Sequence, residues 1–292
     1  MASRFVVYPE DWEQIAGTIK KKSASITKRK LSDLPNIRYR LQAEQHYAPL
    51  IRQAIAGSVS GVAAAITEAL SKTQKAPSGE LAIARAAVAK NVTLSGTKLA
   101  EIFVKMRTDA GHVGILTASE ELGDGHNAEH EFAQTALGID WDNWHPGDPT
   151  ASALTGRHAK SIENVGLHID GILSTTTDRI SQLIANGMTE GSTAREIADS
   201  IGEYVDSEDR AMMIAITETN MAYNLAAVDS YADSGITQWS WLAYDDDKVC
   251  DTCSDKDGQQ YDVSEEDVPP EHPSCRCTVQ AVFSTGQEDS NE

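Results

Sequence analysis

The sequence predicts an α+β fold that is predominantly α-helical, with long helices followed by a small antiparallel sheet. Three observations predict it. Apolar residues recur at spacings of three and four up to Gly235, the period changes to two after it, and all four cysteines fall within the 28 residues from position 250 to position 277. A chain of 292 residues exceeds the usual size of one domain, so two units are expected. Its 40% hydrophobic and 24% charged residues are the balance of a folded protein, which argues against wholesale disorder.

Pro9 suits the first turn of a helix that carries Trp12, Ile15, Ala16 and Ile19 on one face. Ser32 or Asp33 with Pro35 marks the start of a second, over residues 36–71, with Ile37, Leu41, Ala48, Ile51, Ile55 and Val62 along one side. Pro49 with Gly57 and Gly61 is expected to kink it. After a break at 75–79, helices are expected over 80–90 and 95–107, the latter burying Leu99, Ile102, Phe103 and Met106. Between 123 and 150 Gly, Asp, His and Asn predominate, with Trp141, Trp144, Pro146 and Pro149 among them, which marks a domain junction.

A long helix over 151–185 then closes on Asn186-Gly187. Thr193 and Glu196 form a capping box that opens a helix with Ile197 and Ile201. Ser207 or Asp206 starts the next, which runs through Ile214, Glu218, Met221, Leu225 and Val228 to a stop at Ser234-Gly235. Residues 237–243 alternate as a strand, and 277–283 are its expected partner. The expected organisation is a helical region at 1–150 with a basic arm at 1–60, a second unit at 151–284, and a disordered tail at 285–292.

Charge is placed unevenly. The net charge is -19, yet residues 1–60 hold ten Lys or Arg against five acids, among them Lys20, Lys21, Lys22, Lys28, Arg29 and Lys30. From Glu203 onward there are 21 acids against four bases, a field that repels DNA. The basic arm suits docking on an acidic protein surface or on DNA; an ordinary solvated helix is the alternative. No run approaches the roughly 18 apolar residues of a membrane span. The amino-terminal residues lack the features of a secretory signal, so synthesis in the cytoplasm is expected.

Cys250-x2-Cys253 and Cys275-x-Cys277, with His272 three residues before Cys275, present five donors in two short loops. Reduced thiols at this spacing suit a structural tetrahedral Zn2+, because a two-residue gap lets both sulfurs of a turn face one ion. The expected set is Cys250, Cys253, His272 and Cys275, with Cys277 as the substitute for His272, making a zinc-knuckle-like carboxyl-terminal region. Disulfides between the same loops and plain burial of small side chains remain open. Arg210 and Glu218, eight residues apart, share a helix face and can pair with groups such as Asp245 and Arg276 in a structural ion-pair network. An acid-base site is the sharper alternative.

Arg210, Ile214-Ala215-Ile216-Thr217-Glu218, Asn224, Gly235, Trp239 or Trp241 before Asp245, Cys250-Asp251-Thr252-Cys253, Gly258 and Pro269-Pro270-Glu271-His272-Pro273-Ser274-Cys275-Arg276-Cys277 together resemble the phage head morphogenesis domain typified by the F protein of phage Mu. The resemblance covers residues 155–283 and is strongest from 210 onward. It implies a minor head protein present in few copies in the virion, bound at or near the portal protein inside the procapsid and in contact with other head proteins. Where the family carries a second basic residue before the Thr-Glu pair, this chain has Ile216.

A closed four-ligand site leaves no position for substrate, so the expected role is assembly and not catalysis. The alternative is a zinc-dependent hydrolase or a capsid maturation protease. Against it, the sequence has no His-Glu-x-x-His helix and no Gly-x-Ser-x-Gly elbow. His126 and His130 lie one helical turn apart, but in a Gly- and Asn-rich stretch that reads as an exposed loop.

Overall fold

The computed structural model describes residues 36–72, 77–123, 139, 141, 143–148, 156–243 and 249–283. Helices come first: α1 (Ile37–Lys72), α2 (Pro77–Gly123), α3 (Gly156–Glu163), α4 (Val165–Glu190), α5 (Ala194–Val205) and α6 (Glu208–Asp233). Then follow β1 (Gln238–Leu242), a short α7 (Asp251–Lys256), β2 (Gln260–Asp262) and β3 (Thr278–Val282). The three strands make one antiparallel sheet in the order β2-β1-β3. The fold is thus mostly helical with a small antiparallel sheet, the class the sequence predicts. Among the described residues no helix is long and apolar enough to cross a membrane.

Local signals explain most boundaries. The Thr193 hydroxyl accepts from the Glu196 amide while the Glu196 carboxylate accepts from the Thr193 amide, the reciprocal capping box read from the sequence. The Ser207 side chain caps α6 by accepting from the Arg210 amide at 3.2 Å. β1 pairs with β3 in the expected place, from Gln238 opposite Val282 to Leu242 opposite Thr278. β2 has too few residues to show a period, and only its pairing with β1 reveals it.

Three elements depart from the sequence reading. The helices expected at 80–90 and 95–107 are one helix of 47 residues, α2. Beyond Met106 its buried face mixes Arg107, Asp109, His112 and Thr117 with Ala110, Val113 and Leu116, so the apolar period is lost although the helix continues. The long helix expected from 151 is divided at Asn164 into α3 and α4, and α4 runs past Asn186-Gly187 to a left-handed cap at Gly191. Gly187 serves packing instead: a Cβ there would lie 2.5 Å from Cγ1 of Ile197 on α5. The buried stripe of α1 is Tyr39, Ala43, Tyr47, Ala48, Ile51, Ala54 and Ile55, with Arg40 and Glu44 buried inside it. Ile37 and Leu41 are only half-buried.

One core joins α1, α2, α4, α5 and α6 through side chains such as Ile51, Phe103, Ile180, Ile201 and Ala215, so residues on both sides of position 150 build it together. A second core lies under the sheet, where Trp239, Trp241, Val279 and three cysteines meet Ala118 of α2 and Ala227, Val228 and Tyr231 of α6. α2 and α6 support both. They approach closely at Gly114, where a Cβ would stand 2.2 Å from the Tyr223 carbonyl oxygen. Trp141 and Trp144 fold back on Tyr39 of α1, with ring centroids 5.2 and 5.6 Å away, which pins this part of the expected junction to the helices. The expected helix after Pro9, the basic residues Lys20 to Lys30, His126, His130, Asp245 and the tail at 285–292 lie outside the described residues.

Candidate metal centre

Cys250 is the N-cap of α7, and its sulfur accepts from the Cys253 amide at 3.4 Å. This cap turns both sulfurs of the Cys-x2-Cys pair to one side. The opposite loop is equally constrained: the Cys275 amide donates to the His272 carbonyl at 3.0 Å, and Ser274 adopts a φ of 61°. His272 Nδ1 lies 2.8 Å from the Pro273 carbonyl. A carbonyl only accepts, so Nδ1 carries the hydrogen and Nε2 is left for a ligand.

The two loops converge. Donor atoms of Cys250, Cys253 and His272 lie within 4.8 Å of one another, as do those of Cys253, Cys275 and Cys277. Cys253 is common to both groups, its sulfur 3.8 Å from that of Cys275. All four cysteines are free. Cys253, Cys275 and Cys277 are buried, and Cys250 is half-buried.

The close approach of these donors shifts their proton affinities in different directions. The hydrogen bond from Cys253, with help from His272, overcomes burial and draws Cys250 down to about 4. Hydrogen bonds from Cys253 and Cys277 draw Cys275 well below the usual thiol range. Cys253 is raised by donating to its neighbours; at Cys277 the hydrogen bond with Cys253 acts to lower the thiol, but the bond to Cys275 and burial outweigh it and raise it. Burial opposes a charge on His272, but the bond to Cys250 and the charge of Cys275 outweigh it and raise the imidazole to about 9. Thiols whose pKa is lowered beside an imidazole, with donor atoms this close together, form a group that can hold a metal ion, which would displace their protons.

α6 holds the second loop from behind. Asn220 Nδ2 donates to the Cys275 carbonyl at 2.8 Å and the Cys277 carbonyl at 3.1 Å. Asn224 Nδ2 donates to the carbonyls of Cys277 and Pro269, and its Oδ1 accepts from the Thr278 hydroxyl at 3.0 Å and the Val279 amide at 3.2 Å. Glu121 of α2 accepts from the Ala281 amide and from the Tyr231 hydroxyl. Two amides on the outer edge of β3 are therefore met by helix side chains, which closes that edge to a further strand.

The proposed ion-pair residues are wired differently from the pairing the sequence suggests. Glu218 pairs with Arg107 of α2, through Nε at 3.0 Å and through Nη2, and its other oxygen lies 3.3 Å from His168 Nδ1. Burial acts to raise the Glu218 carboxyl, but the Arg107 charge and His168 prevail and hold it at about 2. Arg107 thus supplies the basic partner where the local sequence offers Ile216. Arg276 pairs instead with Glu44 of α1, at 3.1 and 2.9 Å. Arg210 donates to the Thr176 hydroxyl at 2.8 Å and lies over the Tyr204 ring, so it serves α4 and α5.

Sequence reasoning did not find Arg107, Glu44, Asn220 or Glu121 as site residues. Charged and amide side chains within helices read as solvated faces unless their long-range partners are known. Asn220 and Asn224 carried the one available signal, since a spacing of four puts two amides on one face.

The site is thus a cysteine-histidine knuckle to which helix α6 presents two asparagines. Residues 178–280 match the family described as Phage Mu protein F like protein, so this part of the chain is similar to that family. An uncharacterized protein of Haemophilus influenzae is 25% identical over 200 residues, which are 65% of this chain and 44% of that protein. The chain therefore spans less than half the length of that relative. No solved structure matches the chain.

Proposed function

We propose that the protein is a minor head protein of a tailed bacteriophage, bound to the portal and to other head proteins inside the procapsid, with a structural role in assembly. The observation that carries this reading is the Mu F-like match across residues 178–280, the stretch that holds the donor cluster and its asparagine supports. Residues 151–284 are then the head morphogenesis domain, and the basic arm at 1–60, with Lys20, Lys21, Lys22, Lys28, Arg29 and Lys30, is the part that meets a partner or packaged DNA.

Zinc is the metal we assign to the knuckle. At a Zn–S distance of about 2.3 Å, tetrahedral geometry sets sulfurs about 3.8 Å apart, and the Cys253 and Cys275 sulfurs are separated by 3.8 Å. Four ligands drawn from Cys250, Cys253, His272, Cys275 and Cys277 would close the site, and the ion would act as a structural crosslink. The full pairing of Glu218 by Arg107 and His168 supports a structural role for that carboxylate.

Co-expression with portal and scaffold proteins tests the reading. The full chain is expected to sediment with portal or procapsid, and a chain lacking residues 1–60 to be lost from the particle. Unchanged incorporation of the truncated chain rejects the role of the arm, and absence of the full chain from particles rejects the assembly reading. Cleavage of capsid or scaffold protein that Glu218→Ala abolishes would replace it with the protease.

A further inference from the structure

Arg276 stands between two of the candidate metal donors and reaches out of the knuckle to the first helix. Its two terminal nitrogens face the two oxygens of Glu44 at 3.1 and 2.9 Å, a bidentate pair that joins residues 232 apart in sequence. Glu44 is 1% exposed and belongs to the buried stripe of α1. On its other side stands Arg40, also 1% exposed, with Nε 3.7 Å from the same carboxylate and its guanidinium over the Tyr223 ring of α6. The backbone that carries Arg276 is fixed at both ends: the Cys275 and Cys277 carbonyls accept from Asn220 and Asn224, and both sulfurs turn into the donor cluster.

From this arrangement we propose that the knuckle is a metal-responsive clasp on α1: the ion sets the course of Cys275-Arg276-Cys277, and Arg276 transmits that setting to Glu44. The clasp rests on the metal reading above. Without the ion, the sulfurs of positions 275 and 277 lose a common centre, and the side chain between them loses the orientation a two-point contact demands. Glu44 then keeps the Arg40 charge at 3.7 Å but loses the two hydrogen bonds from Arg276 to its oxygens, which is costly for a buried carboxylate.

Hydrogen exchange on the full-length protein, with and without zinc removed by a chelator, reads this directly. Amides of residues 39–51 are expected to exchange about tenfold faster once zinc is removed. Arg276→Gln leaves every donor in place; it is expected to retain zinc while the same amides exchange fast with the metal bound and gain little more on chelation. Glu44→Gln breaks the pair from the helix side, leaves the knuckle sequence intact, and is expected to give the same result. If the chain binds no zinc, the metal reading and the clasp fall together. If zinc binds and leaves but residues 39–51 do not respond, or if both variants keep the full chelator response, the clasp alone is overturned.

Discussion

The two cores of this molecule are built on different chemistry. In the helical body, Ile51, Phe103, Ile180, Ile184 and Ile201 meet as apolar surfaces, and cohesion comes from area removed from water. Under the sheet, Trp239 and Trp241 lie beside Cys253, Cys275 and Cys277, and the loops that carry the cysteines are positioned by side-chain amides and carboxylates. The first core tolerates small shifts because its contacts have no direction. The second depends on directed bonds, so each lost donor or acceptor leaves a buried partner unmet. α2 and α6 carry residues of both kinds, and damage to their polar contacts reaches both cores.

The largest effect is expected at the point where the body itself departs from the apolar rule. Arg107→Ala leaves the Glu218 carboxylate and the Ser161 carbonyl without their guanidinium partner. Breaking a buried pair from one side costs about 3–5 kcal/mol, and a completely buried arginine belongs at the upper end. Urea denaturation checks this; a loss below about 1 kcal/mol would place the pair among ordinary surface salt bridges. Removal of zinc comes next. At a free concentration a thousand times Kd the ion stabilises by about 4 kcal/mol, worth roughly 10 °C in Tm for a chain of this size. The loss should appear in the tryptophan signal of the sheet more than in the helical circular dichroism, since Trp239 and Trp241 lie beside the cysteines.

Asn224→Ala should follow, at about 3 kcal/mol for several buried groups left unsatisfied. Its bonds to Cys277, Thr278 and Val279 join α6 to the sheet, so zinc affinity should fall together with stability. A variant that loses stability but binds zinc as tightly as before would separate the asparagine from the knuckle.

The sequence disclosed whichever parts follow a local rule. The capping box at Thr193, the cap at Ser207, the change of period after Gly235 and the clustering of cysteines all depend on neighbours within a few residues, and the structure places them where the pattern does. Long-range polar contacts follow no such rule. Glu218 meets Arg107 across 111 residues and Arg276 meets Glu44 across 232, and nothing near either acid announces its partner. Helix α2 hid for the same reason: Asp109, His112 and Thr117 are polar letters at buried positions. The donor set at the knuckle was readable in kind, while the division into two groups sharing Cys253 required the fold.

The smallest effect expected is a pH dependence in which two buried groups of the body oppose each other. Burial lowers His158 to about 4, although its hydrogen bond to the Arg107 carbonyl works the other way. Because the unfolded imidazole protonates near 6.5, the folded state loses stability as pH falls from about 6.5 to about 4. Burial raises Asp109 to about 6, against the hydrogen bonds from Tyr47 and Gly147. Its stabilising contribution is present below the unfolded value near 3.8 and is lost as pH rises through about 6. Each is on the order of 2–3 kcal/mol, with opposite sign over the same range, so the parent chain should change little between pH 4 and pH 6 on their account. Asp109→Asn should expose the histidine slope, with stability falling toward acid, and His158→Gln should expose the aspartate slope, with stability rising. Parallel profiles for parent and both variants would show that neither group titrates in this window, and that Asp109 of α2 and His158 of α3 are as insensitive to acid as the apolar residues around them.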